Sequence, residues 1–237
     1  MKPIISIKGL SYRYPDGCPA LTNLNLQINP GEKVALIGPN GAGKSTLLLH
    51  LNGILGGSGE IHIKGLDRSA VNLPAIRSHV GLVFQNPDDQ LFSPTVFEDV
   101  AYGPIYQGLN VKMVEDRVDH ALSDVQMKAY RERVSHHLSL GEKKRIAMAT
   151  VLSMHPDILV LDEPTSGLDP RARRDLIKLL KEFDHTLLIA THDLLFVRDL
   201  LPRTVILDAG CIVFDGYTEC ALQDKMLLTA HGLELPI

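Results

Sequence analysis

Apolar and polar positions alternate along residues 4–10 and again along residues 24–28, with the turn Pro15-Asp16-Gly17 between them, which predicts an edge strand and its neighbour. Residues 33–37 (Lys-Val-Ala-Leu-Ile) are a short apolar run of strand type, residues 47–55 are leucine-rich and helical in character, and residues 59–64 alternate once more. These segments predict a small antiparallel sheet beside a main one. Residues 80–84 are strand-like again, and the polar, proline-bearing stretch 86–90 after them predicts an exposed, mobile connection. From 95 to 154 strand signals nearly vanish: residues 96–103, 111–125 and 142–154 carry apolar positions at helical spacing, so a helical subdomain is expected as an insertion in an α/β core. Beyond it, residues 158–161 and 186–191 predict buried strands, with a turn over 164–170 and a helix over 171–183 between them. A hairpin over 205–208 and 211–214 turns at Ala209-Gly210, and residues 219–230 predict one amphipathic closing helix. Neither internal repeats nor a low-complexity linker divides residues 1–237, which read as a single domain.

Chemistry enters where the run 33–37 meets the helix after it. Gly38-Pro39-Asn40-Gly41-Ala42-Gly43-Lys44-Ser45-Thr46 fits the phosphate-loop pattern, with Gly38, Gly43, Lys44 and Ser45 in register. Glycines at 38, 41 and 43 let backbone N–H groups approach an anion, and the positive end of the helix dipole points to the same place. Polyphosphate suits that loop, with Lys44 neutralising β- and γ-phosphate charge and Ser45 ligating Mg²⁺. Asp162 and Glu163 stand at the C-terminal end of a predicted buried strand, where open α/β sheets hold ligands. One carboxylate can hold Mg²⁺ through water, and the other can orient or deprotonate an attacking water. Taken alone the pair could simply cap a strand end; beside a phosphate loop the catalytic reading prevails. His192, at another strand end, is placed to contact a γ-phosphate. Tyr14 lies where it could stack on adenine or pack a strand edge, and His136 and His137 read as solvated or capping residues.

Composition narrows the class. The chain has 45% hydrophobic and 22% charged residues, the balance of an ordinary globular protein. A formal charge of −4 lacks the electrostatic footprint of a nucleic-acid binder, so no nucleic-acid partner is expected. Cys18, Cys211 and Cys220 are odd in number and contain no Cys-x-x-Cys pair, as suits a reducing cytosol. No signal peptide is read at residues 1–10, and no apolar run approaches the ~20 residues of a membrane span. Service to a membrane would therefore come from outside the bilayer.

With these residues in view, the chain resembles the nucleotide-binding subunit of ATP-binding-cassette (ABC) transporters over essentially its whole length. Residues 38–46 are similar to the Walker A loop, Gln85 to the Q-loop glutamine, residues 158–162 to Walker B, Glu163 to the catalytic glutamate, residues 166–169 to the D-loop and His192 to the switch histidine. Tyr14 corresponds to the adenine-stacking aromatic. Leu138-Ser139-Leu140-Gly141-Glu142 occupies the signature position but departs from Leu-Ser-Gly-Gly-Gln at Leu140, which loses backbone freedom if that position needs positive φ, and at Glu142, which could accept from ribose hydroxyls. The stretch 85–104, with Asp88-Asp89-Gln90-Leu91-Phe92, looks most like the ATPases of energy-coupling-factor importers of the cobalt and nickel branch, with Leu91 and Phe92 exposed for a membrane partner.

The resemblance implies an α/β fold of the P-loop NTPase, ABC-ATPase kind: a mainly parallel core sheet, a small antiparallel β subdomain and an inserted helical subdomain over 95–154. It implies an ATP-hydrolysing translocase subunit bound to ATP and Mg²⁺, with Glu163, His192 and Gln85 catalytic, Ser45, Gln85 and Asp162 around Mg²⁺, and Tyr14, residues 38–46, Ser139, Gly141 and Glu142 around the nucleotide. Its implied partners are a second copy in an ATP sandwich and integral membrane subunits, on the cytoplasmic face of the membrane. The transported ion, cobalt for cobalamin biosynthesis or nickel, would pass through those partners and not touch this chain. Vitamin-importing relatives remain an alternative. So do soluble cassette ATPases, which usually join two cassettes or insert a long coiled coil, and non-hydrolysing regulatory cassettes, which would lack Glu163 or His192.

Overall fold

The computed structural model describes residues 2–234. Strand β3 (Lys33–Ile37) explains the architecture. Its Val34 and Leu36 join one apolar cluster and its Ala35 and Ile37 another, so both faces are buried and the run is continuously apolar. β3 lies inside a six-stranded sheet with β6 (Val80–Val83), β7 (Ile158–Asp162), β8 (Thr186–Ala190), β9 (Arg203–Asp208) and β10 (Cys211–Tyr217). The order is β10-β9-β3-β8-β7-β6, parallel throughout except for the β9–β10 hairpin. Asp162 pairs with Ala190 across β7 and β8, which sets the residues that follow each strand side by side.

The second sheet is antiparallel: β1 (Ile5–Arg13), β2 (Pro19–Ile28), β4 (Ser58–Ile63) and β5 (Leu66–Asp67), in the order β2-β1-β4-β5. β1 is therefore not the edge strand expected, because its outer hydrogen-bonding side is taken by β4, a pairing that no local pattern reveals. Helix α1 (Lys44–Leu51) buries Leu47, Leu48 and Leu51 in the cluster between the two sheets. It is followed by the short α2 (Leu73–His79), which the sequence reading passed over.

The expected helical insertion comprises α3 (Val96–Tyr106), α4 (Val111–Asp124) and α5 (Leu140–Leu152), packed on the other face of the parallel sheet. Both α3 and α5 open on reciprocal capping boxes, Thr95 with Glu98 and Ser139 with Glu142, which satisfy N–H groups otherwise left bare at a helix start. The connection before α3 is exposed at Asn86, Asp88 and Asp89, as expected, and Gln90 ties it to the helical insertion. Residues Pro87–Asp89 form a 3₁₀ turn, and Gln90 accepts from the Phe84 amide while donating to the Ala147 carbonyl (2.9 Å) and Thr150 hydroxyl (2.7 Å) of α5. Leu91 is buried as a result, and only Phe92 of the expected pair is exposed. His136 and His137 sit exposed in the one-turn 3₁₀ helix Ser135–His137.

After β7, α6 (Pro170–Glu182) and α7 (Leu194–Leu200) cover the helical face, α7 being another element missed from sequence. The single closing helix expected over 219–230 is two short ones, α8 (Thr218–Gln223) and α9 (Lys225–Ala230). Asp224 leaves helical geometry (ψ 86) and accepts from the Leu227 amide, so a carboxylate suited to capping starts a new helix where it could have continued the old one. Among the described residues, no helix is long and apolar enough to cross a membrane.

Candidate functional site

Three parallel strands deliver the site. β3 runs into Gly38, β7 ends at Asp162 and runs into Glu163, and β8 runs into Thr191 and His192, so the loops after them share one edge of the sheet. Between β3 and α1 the loop depends on glycine. A Cβ on Gly38 would collide with the Leu207 carbonyl, and Gly43, at φ 102, would place one 2.5 Å from the Ala20 carbonyl. The loop thus runs against β2 and β9 with its backbone alone. The Lys44 side chain is 7% exposed and its ammonium donates to the carbonyls of Gly38 (2.7 Å) and Pro39 (3.0 Å). Burial lowers its pKa, against the opposing charges of Glu163 and Asp162.

Asp162 has a buried Oδ1 without a hydrogen-bond partner among the described residues. Burial pushes its carboxyl up, the neighbouring Ser45 hydroxyl pulls the other way, and the charge of Glu163 adds to the rise. A buried anion with an unused lone pair beside a hydroxyl is a donor set suited to a hard divalent cation. The residues present therefore fit Mg²⁺, with Ser45 and Asp162 as the candidate protein ligands; Ser45 and the exposed Gln85 line the same cleft.

Glu163 is 7% exposed and occupies the left-handed region at φ 45, which a non-glycine residue rarely adopts. Its amide donates to the Ala190 carbonyl (2.8 Å), and its Oε2 lies 2.9 Å from Nδ1 of His192, within reach of the Thr191 hydroxyl at 3.3 Å. His192 is 64% exposed on its side chain, so the pair presents a carboxylate backed by an imidazole to the open cleft. Asp193 accepts both Nε and Nη2 of Arg173 on α6 and caps α7, which fixes the strand end that carries His192.

The cleft, of about 510 Å³, is lined by Tyr14, Asn40, Gly41, Ala42, Gly43, Lys44, Ser45, Thr46, Gln85, Glu163 and His192. It also takes in Cys18, Pro19 and Ala20, which sequence reasoning missed; the hydrogen bond from the Tyr14 amide to the Cys18 carbonyl folds them back beside the tyrosine. The Tyr14 hydroxyl meets that of Thr46 at 2.8 Å, which ties the candidate base platform to the phosphate loop. Gly38 and Pro39 lie behind the loop and reach the cleft through their carbonyls on Lys44. A larger apolar groove of about 1020 Å³, walled by Leu194, Leu201, Tyr217 and Leu222, contains none of these groups.

Ser139, Gly141 and Glu142 are absent from this cleft and stand together at the N-terminus of α5. Leu140 has no positive φ to strain it, because it is the first residue of that helix. The Glu142 carboxylate accepts from both the amide and the hydroxyl of Ser139, each at 2.8 Å. The bond from the Ser139 amide, helped by the neighbouring Tyr130 hydroxyl, holds its pKa below the usual range.

A glycine-built anion loop, a buried carboxylate for a cation and a histidine-backed glutamate at one sheet edge define a phosphate-loop ATPase. The model of the ABC transporter family matches residues 21–166, and the chain belongs to that family, in which ATP hydrolysis is coupled to transport. It is 49% identical, over 98% of its length and 77% of the relative's, to the energy-coupling factor transporter ATP-binding protein EcfA of Methanothermobacter thermautotrophicus. Among solved structures it resembles cbiO1 of Clostridium perfringens, part of the ABC transporter complex cbiONQ, with a TM-score of 0.85 and 38% identity over 100% of this chain and 97% of that one. It also resembles the ATP-binding cassette MJ0796 in a dimeric, post-hydrolysis state bound to ADP and Pi, with a TM-score of 0.81 and 26% identity over 90% and 98% of the two chains.

Proposed function

We propose that the chain is the ATP-hydrolysing subunit of an energy-coupling-factor importer for cobalt or nickel ion, acting as a head-to-tail homodimer on the cytoplasmic face of the membrane. The observation that carries the hydrolytic part is the Glu163 carboxylate, buried and held by His192 at the mouth of the phosphate-loop cleft. On ATP binding the Lys44 ammonium exchanges the Gly38 and Pro39 carbonyls for phosphate oxygens, and Tyr14 packs on the base. Ser45, Asp162 and Gln85 would hold Mg²⁺, which when bound would neutralise phosphate charge and fix the triphosphate's orientation. Glu163 orients the attacking water and takes its proton, while His192 steadies the carboxylate and faces the γ-phosphate.

One subunit leaves that phosphate open to solvent, since Ser139 and Gly141 lie outside its own cleft. Their place at the start of α5, at the positive end of the helix dipole, suits them to close the γ-phosphate site of a second copy. Closure excludes water and strengthens each charge interaction inside, so ATP couples to the dimer.

The membrane partner docks at Phe92. This ring is 64% exposed, packs edge-on against Tyr102 at 5.1 Å between centroids, and has Tyr106 and Ile105 exposed on the same helix α3. An aromatic anchor of this kind fits an amphipathic helix of a membrane subunit. The metal assignment rests on the resemblance of residues 85–104 and on the cbiO1 likeness. Phe92→Ala is expected to leave ATP binding intact, weaken association with the membrane complex and stop cobalt or nickel accumulation in cells carrying the whole transporter. Riboflavin and biotin uptake are the controls. Loss of vitamin uptake with normal metal uptake on deleting the protein would overturn the metal assignment, and no change in any solute would favour a soluble ATPase.

A further inference from the structure

Lys144 is buried at 6% exposure on α5, five residues beyond the Ser139 cap. Its ammonium donates to three carbonyls of one loop: Glu163 at 2.9 Å, Pro164 at 3.1 Å and Ser166 at 2.7 Å. An ammonium has three N–H groups, and here all three are used. The loop they grip is the one that begins with Glu163 in the left-handed region, a conformation that persists only where its surroundings impose it. On one side the Glu163 amide is fixed to Ala190 of β8 at 2.8 Å. On the other, its carbonyl is shared between Lys144 and the Ser166 amide (3.2 Å). The direction of the carboxylate follows from that clamped backbone. The ammonium also lies close enough to Asp162 and Glu163 to feel both charges, against a burial that otherwise disfavours it.

We propose that Lys144 is a positioning residue for hydrolysis: by holding the carbonyls of Glu163, Pro164 and Ser166 it keeps the Glu163 turn aimed at the attacking water, so that helix α5 sets the catalytic carboxylate of its own subunit. This rests on Glu163 being the residue that activates water. A lysine that served packing alone would lower stability and leave the chemistry of folded molecules unchanged. A positioning lysine acts on turnover, because a displacement of the order of an ångström at a reacting group can cost about 100-fold in rate.

The test is steady-state ATP hydrolysis by the purified full-length chain carrying Lys144→Met, with a thermal melt to establish that the variant is folded. The expected result is a kcat lower by about 10- to 100-fold with KM for ATP within about threefold of the parent. On a Glu163→Gln background the same substitution is expected to cause no further loss, since both act through one group. Should Lys144→Met fail to fold, Lys144→Gln, whose amide supplies two N–H donors in place of three, is expected to lose less kcat in the same direction, again with KM little changed, and an unchanged kcat in Lys144→Leu overturns the proposal. An unchanged kcat in a folded variant, or a loss fully additive with that of Glu163→Gln, overturns the proposal. Full turnover by Glu163→Gln alone would instead overturn the catalytic assignment on which it rests.

Discussion

In the proposed function, nucleotide affinity turns on Lys44. In the structure its ammonium is satisfied by the Gly38 and Pro39 carbonyls and buried where Asp162 and Glu163 act on its charge, so the charge sits within the loop itself. Lys44→Ala removes the charged donors available to the β- and γ-phosphates. Two charge-assisted hydrogen bonds are worth about 3 kcal/mol together, so a titration with Mg-ATP is expected to show affinity lower by about 100-fold or more. Tyr14→Ala is expected to weaken ATP binding while leaving tripolyphosphate binding little changed, which a competition titration checks. The cleft residues were legible in the sequence because the phosphate loop, Asp162-Glu163 and His192 each sit at the end of an apolar strand, and strand ends converge in a parallel sheet. Cys18, Pro19 and Ala20 were not, since they reach the cleft through a turn closed by backbone hydrogen bonds and bear no chemical signature. The left-handed backbone of Glu163 was likewise invisible, as it is imposed by contacts from β8 and α5 that are distant in sequence.

At the scale of elements, α6 and α7 are joined by the bidentate pair of Arg173 and Asp193, at 2.7 and 3.0 Å. Burial by itself would raise the Asp193 carboxyl, but Arg173, the Phe196 amide and Thr165 together outweigh it and the net shift is downward from 3.8. A carboxylate whose pKa is depressed in the folded chain contributes stability that is fully present above its unfolded value and is lost as pH falls through the lower folded one. Its acid-sensitive window therefore lies below about pH 4. Asp193→Asn is expected to lower stability at pH 7 by about 1–3 kcal/mol and to flatten this part of the acid dependence, as denaturant titrations at pH 7 and pH 3 would show. If the difference between variant and parent is as large at pH 3 as at pH 7, the ion pair is not its source.

Elements read from periodicity were recovered where a long amphipathic or two-sided apolar pattern existed, as in α4, α6 and β3. The misses share a cause. Helices α2 and α7 have seven residues each, too few turns for a period to register, and the break at Asp224 is a capping choice within an otherwise helical stretch. The position of β1 in the middle of its sheet and the tethering of Gln90 to α5 are long-range pairings, which local sequence does not encode.

For the whole molecule, the arrangement makes sense as one half of a closed site. The phosphate loop with Ser45, Gln85, and the glutamate proposed to activate water line one cleft, while Ser139 and Gly141 stand elsewhere, at the start of α5. Two copies arranged head to tail would bring the second set over the first, and hydrolysis would then release what ATP had closed. Glu163→Gln preserves the shape of the carboxylate but cannot accept a proton, so turnover is expected to fall by about 10²–10⁴ while ATP still binds. That variant, mixed with Mg-ATP and weighed by light scattering, tests the sandwich most directly. The mass is expected to double on adding ATP and to return to that of one chain when nucleotide is removed; a mass that stays monomeric with ATP bound would contradict the account.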